Sequence, residues 1–141
     1  MEKHQNWQIL AQMDGDFTQA KAYEVMTAYL DGLTEKQDID MVYCENDNEA
    51  FGAIEALEEH GYVCGKDVDV ICFDATRRGL ELCMEGKIAL VAECNPLLGP
   101  MAERIVSMLE AGQIPEKNYF VEEQCFTARD LTRSLIDSRE Y

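Results

Sequence analysis

Apolar and polar positions follow two rhythms along this chain, and the switches between them mark its elements. Short apolar runs occupy 7–13 (WQILAQM), 40–44 (DMVYC), 68–73 (VDVICF) and 88–92 (IALVA), each bounded by polar or turn residues. Runs of that length read as strands, and Met41 to Cys44 reads as one buried on both faces. Between the runs the apolar period moves to about 3.6 residues, the spacing of a helix with one buried stripe. Ala22, Val25, Met26, Tyr29, Leu30 and Leu33 form such a stripe on a helix from about Thr18 to Leu33. Ala50, Ala53, Ile54 and Leu57 form the next, which Gly61 ends, and Leu80, Cys83 and Met84 a third from about Thr76 to Glu85, with Gly86 as its stop. Met101, Ile105, Met108 and Leu109 line a helix from about Leu98 to Ala111, with Pro100 in its first turn and Gly112 closing it. Tyr119 to Phe126 has strand character interrupted by Glu122, Glu123 and Gln124, and Thr127 begins a last helix. Asn46 with Glu49, and Asp16 with Gln19, have the spacing of capping boxes.

Strands alternating with helices at this spacing predict an α/β fold, a three-layer αβα sandwich with four parallel strands. Parallel strands share one carboxyl edge, and ligands of open α/β sheets bind there. Three consecutive strands end on polar groups: Asn46 and Asp47, then Asp74, then Glu93. Each could cap the helix that follows it, and capping alone needs one residue per helix. Their convergence at three strand ends points to a small-molecule site.

Composition narrows the classes. A length of 141 residues with 47 % hydrophobic content supports one domain with a real core. The balance of 28 acidic against 12 basic residues, net −16, argues against nucleic acid or anionic membrane as a partner, and no Lys/Arg cluster offsets it. The apolar runs are too short to span a bilayer, and Met1-Glu2-Lys3-His4 opens no signal peptide, so the chain as written is expected to stay where it is made. Cys44, Cys72 and Cys83 fall on apolar strand or helix positions and read as buried small hydrophobes; Cys64 and Cys94 lie near loops, and Cys125 shares no CxxC spacing with any of them. His4 and His60 have no thiol pair beside them, so no zinc site is expected, and both read as solvent-exposed rather than catalytic. Nucleotide-binding glycine motifs and a GxSxG elbow are absent from the sequence. Binding without catalysis, with no cofactor and no metal, is the expectation.

Asn46-Asp47 through Ala50-Phe51-Gly52-Ala53-Ile54-Glu55-Ala56-Leu57, Gly61, Val68 to Asp74, and Gly86-Lys87 through Val91-Ala92-Glu93-Cys94-Asn95-Pro96 together resemble the sugar-binding proteins of ABC transporters, the ribose- and galactose-type periplasmic-binding-protein family. Phe73-Asp74-Ala75 stands where the family usually has Gly-Phe-Asp-Gly, a departure in the small residues and not in the aspartate. The resemblance implies a sugar held between two lobes and a membrane permease as partner. It also implies an extracytoplasmic location for the full-length protein. It covers nearly all of this chain but about half of a family protein, so 1–141 is expected to be most of the carboxyl-terminal lobe. The chain would cross a hinge near 93–96, and the helix 98–111 would pack in the other lobe. Mapped onto matching positions, the sugar-binding residues are Asn46, Asp74, Glu93, where ribose-type relatives carry Gln, and Phe17, an aromatic that stacks on a sugar or else fills the core. A polyol needs planar polar groups on rigid strand ends and an aromatic face against its C–H surface. Left alone, this lobe is expected to cover its exposed helix stripe and open strand edge by forming a homodimer. The effector-binding core of lac-repressor-type transcription regulators has the same fold and is the alternative.

Overall fold

The computed structural model describes residues 6–141. His4 lies outside the described residues. Helices and strands alternate as α1 (Gln19–Asp31), β1 (Met41–Tyr43), α2 (Asp47–Glu59), β2 (Asp69–Asp74), α3 (Arg77–Met84), β3 (Leu90–Glu93), α4 (Gly99–Glu110), β4 (Cys125–Phe126) and α5 (Arg133–Asp137). The sheet order is β1-β2-β3-β4. The first three strands run parallel, with Tyr43 opposite Ile71 and Asp74 opposite Glu93, and β4 is antiparallel to β3. This is the expected α/β architecture with a mainly parallel sheet.

Local chemistry explains where the helices start and stop. Thr18, Asn46, Thr76 and Thr132 each accept a hydrogen bond from a backbone N–H two or three residues into the helix they precede. The cap of α1 is therefore Thr18 and not Asp16, whose own N–H turns back onto Asp14 Oδ1 at 3.0 Å. Helix α2 ends as its glycine predicts: Gly61 takes φ +79°, its N–H reaches Glu58 O, and Tyr62 N–H reaches Leu57 O. That double bond pattern needs a left-handed residue at Gly61, where a side chain would be strained.

The core lies between the sheet and helices α2 and α3. Val70 and Cys72 of β2, Val91 of β3, Ala53, Ile54 and Leu57 of α2, and Leu80 and Cys83 of α3 are buried in it, with Phe126 and Ile136 closing one side. Helix α1 packs along α2 so closely that a Cβ on Gly52 would lie 2.2 Å from Gln19 O. Cys44, Cys64, Cys72 and Cys83 are buried free thiols, while Cys94 and Cys125 are exposed free thiols.

Four expectations are corrected. Residues 7–13 form no strand: Trp7, Ile9, Leu10 and Met13 are exposed, and no strand of the sheet pairs with them. An apolar run becomes a strand only where a neighbour takes its backbone hydrogen bonds, and β1 is itself an edge here. Second, β1 is not buried on both faces, since Met41 and Tyr43 are exposed, Tyr43 to 62 %. Third, the sheet takes its remaining strand not from 7–13, expected as the first, but from two residues of 119–126, and that strand is antiparallel. Finally, His60 is half-buried, not solvent-exposed: its ring nitrogens lie 2.7 Å from Ala56 O and 3.1 Å from Asp31 Oδ1.

Candidate sugar-binding edge

The four polar residues after β1 divide their tasks. Asp47, fully buried at the first position of α2, accepts hydrogen bonds from Cys72 Sγ at 3.0 Å, Thr76 N at 2.7 Å and Thr76 Oγ1 at 2.6 Å. It fastens the start of α2 to the turn that leaves β2. Burial pushes its carboxyl up, against the pull of those donors. Gly79 is needed beside it, because a Cβ there would sit 2.3 Å from Asp47 Oδ2.

Asn46, by contrast, faces the loop before α1. Its Oδ1 accepts from Glu49 N at 2.8 Å, and its Nδ2 donates to Phe17 O at 3.0 Å. Glu49 completes the clamp: Oε1 accepts from Phe17 N at 3.1 Å, and Oε2 accepts from Glu45 N at 2.9 Å. Both backbone groups of Phe17 are thus held by the N-terminus of α2. Its φ is +53°, a conformation that costs a bulky residue free energy and persists only under such restraint. Phe17 is 59 % exposed, so it is not a core residue.

A second restrained pair follows β2. Asp74 has φ +99° and Ala75 has φ +61°, left-handed backbone at two consecutive residues that are not glycine. Ala75 is fully buried, whereas Asp74 is half-buried and its carboxylate takes no hydrogen bond from the described residues. Burial raises its carboxyl above the ordinary value, and the nearby Asp47 charge adds to the rise. A carboxylate on strained backbone, open to solvent and without a protein donor among the described residues, can take a donor from a ligand.

Glu93 is the Cα partner of Asp74 across the parallel pair. Its carboxylate is already engaged: Arg139 Nη1 and the Tyr141 hydroxyl donate to Oε1, and Gln124 N donates to Oε2 at 3.1 Å. Burial pushes the Glu93 carboxyl up, but those hydrogen bonds and the Arg139 charge outweigh it and hold it below the usual range. Phe17 and Asn46 therefore meet directly, Asp74 and Glu93 meet in register, and the Asp47–Thr76 bonds join the two pairs along one sheet edge. A cleft of about 270 Å³ beside Glu93 is lined by Asn95, Gln124, Arg139 and Tyr141. Phe17, Asn46 and Asp74 lie outside the lining of that cleft. Among the described residues no group of three His, Cys, Asp or Glu side chains could hold a metal ion. Arg139 and Tyr141 were missed by sequence reasoning, since nothing in Arg139-Glu140-Tyr141 signals a partner some 46 positions away.

The periplasmic binding protein domain family matches residues 1–113. The chain belongs to that family. Over 113 residues it is 32 % identical to the galactofuranose-binding protein of Escherichia coli, covering 79 % of this chain and 36 % of that protein. A Mycobacterium smegmatis structure in complex with β-D-fucofuranose superimposes with a TM-score of 0.82 at 33 % identity, over 91 % of this chain and 41 % of that one. The periplasmic binding protein component of the arabinose ABC transporter from Shewanella sp. ANA-3, bound to α- and β-L-arabinofuranose, gives a TM-score of 0.87 at 25 % identity, over 99 % and 46 %. The chain thus spans less than half the length of these relatives.

Proposed function

We propose that this chain supplies one wall of a sugar-binding cleft, as a lobe of a binding protein that delivers a monosaccharide to an ABC-transporter permease outside the cytoplasm. One observation carries the reading: the exposed Phe17 lies beside the Asn46 amide, and the Asp74 carboxylate at the next strand end has no protein donor among the described residues. The ring suits the C–H face of a sugar, and the polar groups suit its hydroxyls. The relatives' furanose ligands, galactofuranose and L-arabinofuranose among them, make five-membered sugar rings the first class to try. In this reading Asn46, Asp74, Glu93 and Phe17 contact the sugar, 93–96 is the hinge, and α4 packs in the opposite lobe. The complete absence of buried residues on α4 supports its belonging to another surface. No turnover of the sugar is expected. On its own this lobe associates as a homodimer through α4 and the open edge of β1. The alternative of a regulator's effector core is not favoured, because the relatives described above are a galactofuranose-binding protein, a fucofuranose complex and an arabinose ABC-transporter component.

Calorimetry on the full-length protein with L-arabinose, D-galactose, D-ribose and D-fructose tests the reading. At least one should bind, and Asp74→Ala should abolish that binding with little change in melting temperature. Absence of binding by all four, or binding unaffected by Asp74→Ala, would contradict it.

A further inference from the structure

The segment Arg139–Tyr141 lies across the exit ends of β2 and β3 and is held there from both sides. Arg77, the first residue of α3, donates from its backbone N–H to Tyr141 O at 2.9 Å and from Nη2 to Arg139 O at 2.7 Å. Inward, Arg139 Nη1 donates to Glu93 Oε1 and to the Tyr141 hydroxyl oxygen, the latter at 2.7 Å. The Tyr141 hydroxyl donates to the same Glu93 oxygen at 2.7 Å. The Arg139 guanidinium also stands over the rings of Phe126 and Tyr141, at 5.0 and 5.3 Å from their centroids. Side-chain exposure is 13 % for Arg139 and 7 % for Glu93. Oε1 is thereby filled by two donors, while Oε2 has the Gln124 N–H alone and keeps a free lone pair.

A buried ion pair is weak as a source of stability, because desolvating both charges offsets their attraction. What this network does supply is orientation. A glutamate at a strand end has several rotors and would sample many positions; here each oxygen is pinned. The charges around it sharpen the case. Asp74 stands opposite Glu93 on β2, Glu123 adjoins Gln124, and Tyr141 and Arg139 face Glu93 from the strap. Burial works against the Glu93 charge, and the hydrogen bonds from Arg139 and Tyr141 with the Arg139 cation favour it.

We propose that the Arg139–Tyr141 strap is a positioning device for the sugar site, fixing Glu93 as a rigid charged acceptor beside Asp74 and so setting sugar affinity without touching the sugar. It rests on the sugar-binding reading of Asp74 and Glu93. A bound sugar hydroxyl donates to the lone pair left on Oε2, and no energy is spent ordering the glutamate at that moment.

The test is a double-mutant cycle in the full-length protein, with affinity for L-arabinose, D-galactose, D-ribose and D-fructose read by calorimetry. Arg139→Met should weaken binding roughly tenfold, the size of a lost charged hydrogen bond. Arg139→Lys should restore part of it, Tyr141→Phe should have a smaller effect, and Arg133→Met on α5 should have none. In a Glu93→Ala background the Arg139→Met loss should vanish, because Arg139 acts through that carboxylate. Carbon-detected titration should find the Glu93 carboxyl below 4.5 in the wild type and shifted upward in Arg139→Met. Losses that add in the cycle, or an unchanged affinity in Arg139→Met, overturn the positioning role while leaving the sugar site standing. A wild type that binds none of the four sugars instead fails the sugar-binding reading, and the strap's role falls with it.

Discussion

Asp47 and Asp74 follow neighbouring strands, yet they are put to opposite uses. Asp47 is buried with three donors converging on it, and Asp74 is half-buried with none among the described residues. Removing Asp47 orphans the Thr76 hydroxyl and N–H and the Cys72 thiol, so Asp47→Ala should cost about 2–4 kcal/mol in urea unfolding. Asp74→Ala should change stability little, or raise it slightly by relieving a desolvated charge. Equal destabilisation of the two variants would show that both are structural. His60 offers a separate check through pH. Both of its ring nitrogens face acceptors, the Asp31 carboxylate and the Ala56 carbonyl, and a neutral imidazole can donate to only one of them. The hydrogen bond to the Asp31 carboxylate, then that to the Ala56 carbonyl, raises its pKa above 6.5. A group whose folded pKa is raised contributes stability that is present below the unfolded value and lost as pH rises through the folded one. The melting-temperature gap between wild type and His60→Gln should therefore be wider near about pH 5.5 than near about pH 8. A gap that does not vary with pH would mean the ring is held by packing alone.

Among the elements, α1 and α2 were legible because a helix is specified by residues three and four apart. The stripe Ala22, Met26 and Leu30 is buried as its spacing predicted, as are Ala50, Ala53, Ile54 and Leu57. The stops at Gly61 and Gly86 hold for the same local reason. Strands fared less well, since a strand is completed by partners remote in sequence. The run at 7–13 has the composition of a strand but joins no strand of the sheet, and β4 survives as two residues because β3 has an edge to offer it. At the site, Asn46 and Asp74 were readable from their position after apolar runs. The clamp on Phe17 and the strap on Glu93 were not, because their partners lie 29 to 48 residues away. Packing between the elements makes two contrasts testable. Ala is the better helix former than Gly by about 1 kcal/mol, yet Gly52→Ala should destabilise by about 1–3 kcal/mol, since its methyl would strike Gln19 O. Leu57→Ala, at a fully buried position, should cost about 2–5 kcal/mol. Leu109→Ala on α4, where no residue is buried, should stay within about 0.5 kcal/mol. A large loss from Leu109→Ala would mean that α4 is packed in solution.

At the scale of the whole molecule, apolar surface and charge pull in different directions. Met41 and Tyr43 on β1, with Val106 and Leu109 on α4, leave apolar side chains in water and favour association. A net charge of −16 on each chain opposes it. Salt screens the second effect over about 8–10 Å while leaving the first in place. The homodimer proposed for this lobe should therefore tighten as ionic strength rises, as light scattering coupled to gel filtration can read. A monodisperse 16.0 kDa species at every salt concentration would contradict it. The central claim concerns the edge where Phe17, Asn46 and Asp74 stand. Nuclear magnetic resonance of the full-length protein, titrated with the sugar that binds most tightly, tests it most directly. The account predicts that the Phe17 ring protons, the Asn46 side-chain amide and the Asp74 carboxyl carbon shift together along one binding curve. A sugar that binds while these three signals stay in place would contradict it.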